Sequence, residues 1–139
     1  MTSRAGTGPV PAGATVAVGV GARPGVAGAD LHAAVRAALT VAGLAPGDVT
    51  VLATVDRRAG EPAVRETALG LGWRLLALPA AELARQNVPN PSRTVDGAVG
   101  TPSVAEAAAL VAAGPGGTLL LPKQVCGYVT VAIARSAAA

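Results

Sequence analysis

The chain has 139 residues, a net charge of +3 and 51% apolar residues, yet it contains no Phe, one Trp and one Tyr. This length is typical of one domain, and a charged fraction of only 14% argues against a disordered chain. One cysteine excludes an internal disulfide, and one histidine cannot complete a zinc cluster, so we expect neither metal nor cofactor. The small charge and the few aromatic residues argue against nucleic-acid binding and favour acidic small molecules as partners.

The sequence also argues against a membrane protein. No apolar run reaches the ~20 residues that a membrane helix needs. Arg4 near the N-terminus is not followed by the uninterrupted apolar stretch of a signal peptide. We therefore expect a cytoplasmic protein with a disordered tail at residues 1–14 and one domain over residues 15–136.

The first half of the domain alternates strands and helices. Residues 15–20 (TVAVGV) predict a first strand, and a loop leads to a helix with Asp30 as its N-cap and Gly43 at its end. Residues 49–55 (VTVLATV) predict a second strand, apolar throughout as a buried parallel strand is. After a DRRAG loop, a helix begins near Pro62 and stops at Gly72.

The second half continues this pattern with one exception. Residues 73–78 predict a third strand, 80–86 a short helix, and the Pro-rich segment at residues 87–100 irregular structure. Ser103 and Glu106 form an S-x-x-E capping box at the start of a helix that ends at Gly114. Strands follow at residues 118–121 and 128–134.

The order of elements predicts the fold class. Alternating strands and helices indicate a three-layer α/β/α domain with a mixed, mostly parallel sheet of about five strands. The connection at residues 122–127 is too short for a parallel crossover, so the fifth strand should run antiparallel to the fourth.

Ligands of open α/β sheets bind beyond the carboxyl ends of the parallel strands. Four basic residues fall just beyond the carboxyl ends of those predicted strands, and helix N-termini at the same edge add partial positive charge. The sequence therefore predicts an anion-binding edge. The four residues are Arg23, Arg57, Arg58 and Lys123.

Each candidate has a structural alternative. Gly19 and Gly21 permit either a tight turn with positive φ or the close approach of a ligand, and Pro24 breaks the dinucleotide-binding fingerprint. Arg57 and Arg58 are either ligand-binding or solvated loop charges. Ser103 is a helix cap first, and an anion site only through the N–H groups of its helix.

Two carboxylates and one lysine are the candidates for catalysis. Asp56 and Glu61 are either a general acid/base pair or helix-capping and salt-bridging groups. Lys123 interrupts the apolar run TLLLP at a strand end, where it could stabilise an oxyanion.

Five segments in this order resemble the CobE and CbiG C-terminal domain family of cobalamin biosynthesis. They are GVGARPG (19–25), ATVDRRAGE (53–61), VGTPSVAEAAAL (99–110), Lys-Gln (123–124) and TVAIAR (130–135). The resemblance adds Thr101 and Gln124 to the candidate ligand-binding residues. The chain departs from the family at Ala22, where the family has Cys, and at Arg58, where it usually has Lys, so a thiol and a neutral amine base are absent there.

The resemblance implies an acidic tetrapyrrole, a precorrin or corrin bearing acetate and propionate arms, as the partner. CbiG proteins resemble a hydrolase that opens a lactone on a cobalt-precorrin and releases acetaldehyde, and they carry an N-terminal region that we do not find here. A standalone domain is more similar to CobE. Three hypotheses remain: a module that binds a corrin intermediate, a hydrolase, and a subunit that docks on another enzyme of the pathway.

Overall fold

The computed structural model describes residues 15–86 and 103–137. The predicted tail at residues 1–14, the irregular segment predicted at residues 87–100 and Thr101 lie outside the described residues.

Five strands of the described residues form one mixed sheet with the order β3-β2-β1-β5-β4. The three strands β1, β2 and β3 are parallel, and β5 runs antiparallel to both of its neighbours. This arrangement confirms the predicted fold class and the antiparallel fifth strand. The strands are β1 (Val16–Ala22), β2 (Val51–Val55), β3 (Arg74–Leu78), β4 (Thr118–Cys126) and β5 (Val129–Arg135).

The helices follow the predicted order with two corrections. Asp30 is not the N-cap of the first helix, because that helix begins at Gly28 after Ala27, and Asp30 lies in its first turn. A carboxylate in the first turn still favours the helix through the positive end of its dipole. The predicted DRRAG loop contains a single helical turn. The helices are α1 (Gly28–Ala42), α2 (Asp56–Ala59), α3 (Pro62–Leu71), α4 (Ala80–Ala84) and α5 (Val104–Ala113).

The predicted helix ends are confirmed at two glycines. Gly43 and Gly72 have φ angles of 74° and 76°, and each N–H donates to carbonyl groups of the last helical turn. Glycine adopts this left-handed conformation without the steric penalty that a Cβ atom imposes.

The central strand β1 presents large and small residues to opposite faces of the sheet. Val16, Val18 and Val20 pack with α1 and α3 in the larger core cluster. Gly19 and Gly21 face α5, whose backbone lies against the sheet. Small residues on both sides allow this close approach, which fills the interior without Phe.

Neither glycine of the G-x-G segment forms a tight turn. Gly19 and Gly21 lie within β1 and have no positive φ, so that alternative is wrong. A Cβ atom at Gly19 would lie 2.6 Å from the Ala109 nitrogen and closer still to the Ala105 oxygen. Gly19 is therefore required by helix packing, and its burial under α5 separates it from the exposed edge.

Strand β4 is longer than predicted and irregular. Its pairing with β5 shifts twice, between Leu119 and Leu121 and between Leu121 and Gln124. Each shift inserts one extra residue, which is tolerated because β4 is an edge strand. The hairpin closes through Gly127 and Tyr128 alone, so Lys123 and Gln124 lie within β4 and not beyond its end.

Candidate functional site

The carboxyl ends of β1, β2, β3 and β4 lie along one edge of the sheet, as their directions require. The first residues of α5 lie at the same edge, because Gly21 faces Val104. We call this edge the basic rim and define it by the four cations predicted there: Arg23, Arg57, Arg58 and Lys123.

A pocket of about 230 Å³ opens beside Lys123, between the start of α5 and the ends of β1, β4 and β5. We call it the rim pocket. Ser103, the buried N-cap of α5, forms part of its wall and accepts a hydrogen bond from the Glu106 N–H at 3.4 Å. The pocket therefore combines a lysine with a helix start, two features that favour anions. Its lining residues are Gly21, Ser103, Val104, Ala105, Lys123, Val125 and Thr130.

Glu106 behaves differently from a capping-box residue. Its side chain is fully buried, and Oε2 accepts a hydrogen bond from the backbone N–H of Lys123 at 2.9 Å. Ser103 caps the helix as predicted, but this Glu106 oxygen bonds β4 and not the N-terminus of its own helix. The contact fixes Lys123 at the irregular part of β4. A carboxylate inside the otherwise apolar segment VAEAAALVAA was the available signal for this burial.

Arg58 and Glu61 form an ion pair in the segment after β2, and each of them also bonds to the backbone at the end of β1 or in the loop after it. Arg58 Nη1 lies 3.3 Å from Glu61 Oε2, and Arg58 Nε donates to the Ala22 carbonyl at 3.1 Å. Glu61 Oε1 accepts from the Gly25 N–H at 2.8 Å. The pair therefore holds the loop after β1 against the loop after β2, as the salt-bridging alternative anticipated for Glu61.

We expect Glu61→Ala to lower the free energy of unfolding by about 1–2 kcal/mol, because a charge-assisted hydrogen bond to the Gly25 N–H and an ion pair are both lost. Glu66→Ala, at an exposed carboxylate within α3, the helix that Glu61 precedes, is the matched control and should change stability by less than about 0.5 kcal/mol. Urea unfolding measures both. Equal stability of the two variants would mean that the ion pair contributes nothing net to folding.

The remaining predicted residues are exposed. Asp56 and Arg57 lie on the short helix α2, and Gln124 donates to the carbonyls of Pro122 and Lys123 at 3.3 Å each. Arg23 lies over the ring of Tyr128, with 4.6 Å from its guanidinium carbon to the ring centroid. Sequence reasoning assigned Tyr128 only to a strand, and its place beside Arg23 became apparent only from the hairpin.

Two pockets of the described residues are larger than the rim pocket, and neither contains a predicted site residue. The larger of these two, of about 510 Å³, lies against α3 and the edge strand β3. In residues 15–86 and 103–137, no group of His, Cys, Asp and Glu is arranged to hold a metal ion. No helix in this part of the chain is long and apolar enough to cross a membrane.

Comparison with known proteins identifies the family. Residues 16–134 match the family described as cobalamin synthesis G C-terminus. The chain belongs to this CbiG C-terminal family. Protein CobE of a Sinorhizobium species is 36% identical over 133 residues, which cover 91% of this chain and 83% of that protein. The chain is therefore a protein of the cobalamin biosynthesis pathway.

Solved structures of similar proteins agree with the fold. CobE, described as a protein from the cobalamin (vitamin B12) biosynthetic pathway, has a TM-score of 0.79 at 30% identity, covering 91% of this chain and 97% of that one. The cobalamin biosynthesis protein chiG from Agrobacterium tumefaciens has a TM-score of 0.70 at 38% identity, covering 90% and 100%. A putative cobalamin biosynthesis protein G homolog from Sulfolobus solfataricus, at 21% identity, shares the fold with a TM-score of 0.69, covering 87% of this chain and 36% of that one.

Proposed function

We propose that the protein binds an acidic tetrapyrrole, a precorrin or corrin intermediate, at the basic rim. The observation that carries the proposal is the rim pocket, which brings Lys123 and the start of α5 together at the sheet edge that also holds Arg23 and Arg57. Acetate and propionate arms would pair with these cations, and the arginine forks suit carboxylates in particular. Arg58 contributes indirectly, since Glu61 already pairs with it.

The hydrogen bonds of Glu61 favour binding over hydrolysis as the function. A general base must be able to turn toward water or substrate, whereas hydrogen bonds from Gly25 and Arg58 hold the Glu61 carboxylate between the two loops, with one further lone pair left on each oxygen. Asp56 is exposed at the same rim, yet one exposed carboxylate does not make an active site. We expect this binding to occur in the cytoplasm. We also expect Gly21 and Gln124 to make further contacts with the ligand.

A visible-absorbance titration with hydrogenobyrinic acid tests the proposal. We expect a saturable spectral change that weakens as the salt concentration rises, because exposed charge pairs are screened. Arg23→Gln and Lys123→Gln should each weaken binding about three- to tenfold, in keeping with partly exposed charge-assisted hydrogen bonds.

Two arginines serve as matched controls for charge. Arg74 begins β3 at the opposite edge of the sheet, and Arg85 follows α4. Arg74→Gln and Arg85→Gln remove the same charge and should leave the affinity unchanged. Equal losses in all four variants would contradict a site at the rim, and no spectral change at all would favour a subunit that docks on another enzyme.

A further inference from the structure

The tip of the β4–β5 hairpin exposes two large side chains. Val125 is 70% exposed and Tyr128 is 68% exposed. Val125 is the last but one residue of β4, and Tyr128 is the second residue of the two-residue turn that Gly127, with a φ of 62°, makes possible. Exposure of apolar surface to water is unfavourable. Two exposed apolar side chains close together are therefore a better indication of a binding surface than a single one.

This exposed tip is continuous with the rim pocket. Val125 lines the pocket together with Lys123 and Thr130. On the other side, Arg23 stacks over the Tyr128 ring. An apolar surface therefore lies between two cations, Lys123 and Arg23, at the edge where the acidic ligand is proposed to bind.

We propose that Val125 and Tyr128 contact the face of the tetrapyrrole ring while the cations beside them hold its carboxylate arms. The proposal rests on the proposed function and identifies the side chains that would favour a ligand with a large ring over other polycarboxylates. Cations alone would bind any polycarboxylate of suitable size, whereas an aromatic side chain beside an arginine offers a stacking surface to a large conjugated plane. The apolar centre and acidic periphery of a tetrapyrrole match this arrangement of side chains.

The first test compares affinities of variants for hydrogenobyrinic acid. We expect Tyr128→Ala to weaken binding about tenfold, in the range found for loss of a stacking side chain. Tyr128→Phe keeps the ring and should bind as the native chain does. Leu69→Ala is the matched control, because Leu69 is 82% exposed but lies on α3 beside the larger pocket.

A double variant distinguishes direct contact between Tyr128 and the ligand ring from an indirect effect of Tyr128 on the position of Arg23. If Tyr128 acted only by holding Arg23, the effect of Tyr128→Ala would disappear when Arg23 is already glutamine. We expect most of the loss to persist in the Arg23→Gln background. We also expect binding of butane-1,2,3,4-tetracarboxylate, a polycarboxylate without any ring, to respond to Lys123→Gln but not to Tyr128→Ala.

The chain offers a direct spectroscopic reporter, because Tyr128 is its only tyrosine. Incorporation of 3-fluorotyrosine gives a single fluorine resonance. We expect this resonance to shift saturably with hydrogenobyrinic acid and to show nuclear Overhauser contacts with protons of the bound ring. Binding with no change at this resonance and with native affinity in Tyr128→Ala would overturn the ring contact but leave the proposed function standing. Absence of binding to the native chain would overturn both.

Discussion

Replacing Gly19 by alanine is expected to lower the free energy of unfolding by about 3 kcal/mol or more, at the upper end of the cost of overpacking a core. The added methyl group would lie 2.6 Å from the Ala109 nitrogen and closer to the Ala105 oxygen. Both are backbone atoms of α5, so no side-chain rotation can make room. The helix would have to move away from β1, which would open gaps along the whole interface.

Gly21→Ala is the matched control, two residues along the same strand and on the same face. Its new methyl group would be 3.5 Å from the nearest atom, the Val104 Cβ, which is an ordinary contact. We expect a change below about 0.5 kcal/mol. Urea unfolding followed by fluorescence of the only tryptophan, the buried Trp73, measures both variants. Similar stability of the two would contradict the close packing of α5 on β1.

Glu106→Ala is expected to lower the free energy of unfolding by about 2–4 kcal/mol, because it leaves a cavity and removes a buried hydrogen-bond acceptor. The acceptor serves the Lys123 N–H, which belongs to an irregular part of an edge strand. Without it, this segment of β4 should loosen. Glu106→Ala should therefore also weaken binding of hydrogenobyrinic acid, through displacement of Lys123.

Glu106→Gln tests whether the hydrogen bond to Lys123 carries this effect. Its amide oxygen can accept the same bond at nearly the same volume, so we expect a loss of about 1 kcal/mol. Hydrogen exchange at the Lys123 amide should be fast in the alanine variant and remain slow in the glutamine variant. A glutamine variant as unstable as the alanine variant would show that the acceptor at Lys123 is not what stabilises this region.

Local patterns were sufficient to predict most elements. Apolar runs of strand length, Gly43 and Gly72 as helix stops, and Pro62 in the first turn all depend on residues near each other in the chain. The short connection after β4 was enough to predict an antiparallel fifth strand, because a parallel crossover needs many more residues. The length of β4 was missed, since Pro122 and Lys123 read as a turn and become part of a strand only through bulges at a sheet edge.

By itself, the sequence determined the fold class, the family and the sheet edge beyond which Arg23, Arg57 and Arg58 lie, whereas Lys123 lies within β4 and not beyond its end. The tertiary structure decided what each of those residues does there. It paired Arg58 with Glu61, placed Gly19 under α5, joined Glu106 to Lys123 and set Tyr128 beside Arg23. Sequence periodicity reports which face of an element is buried, but contacts between separate elements depend on how closely helices and strands pack, and that distance is fixed only when the whole core is assembled.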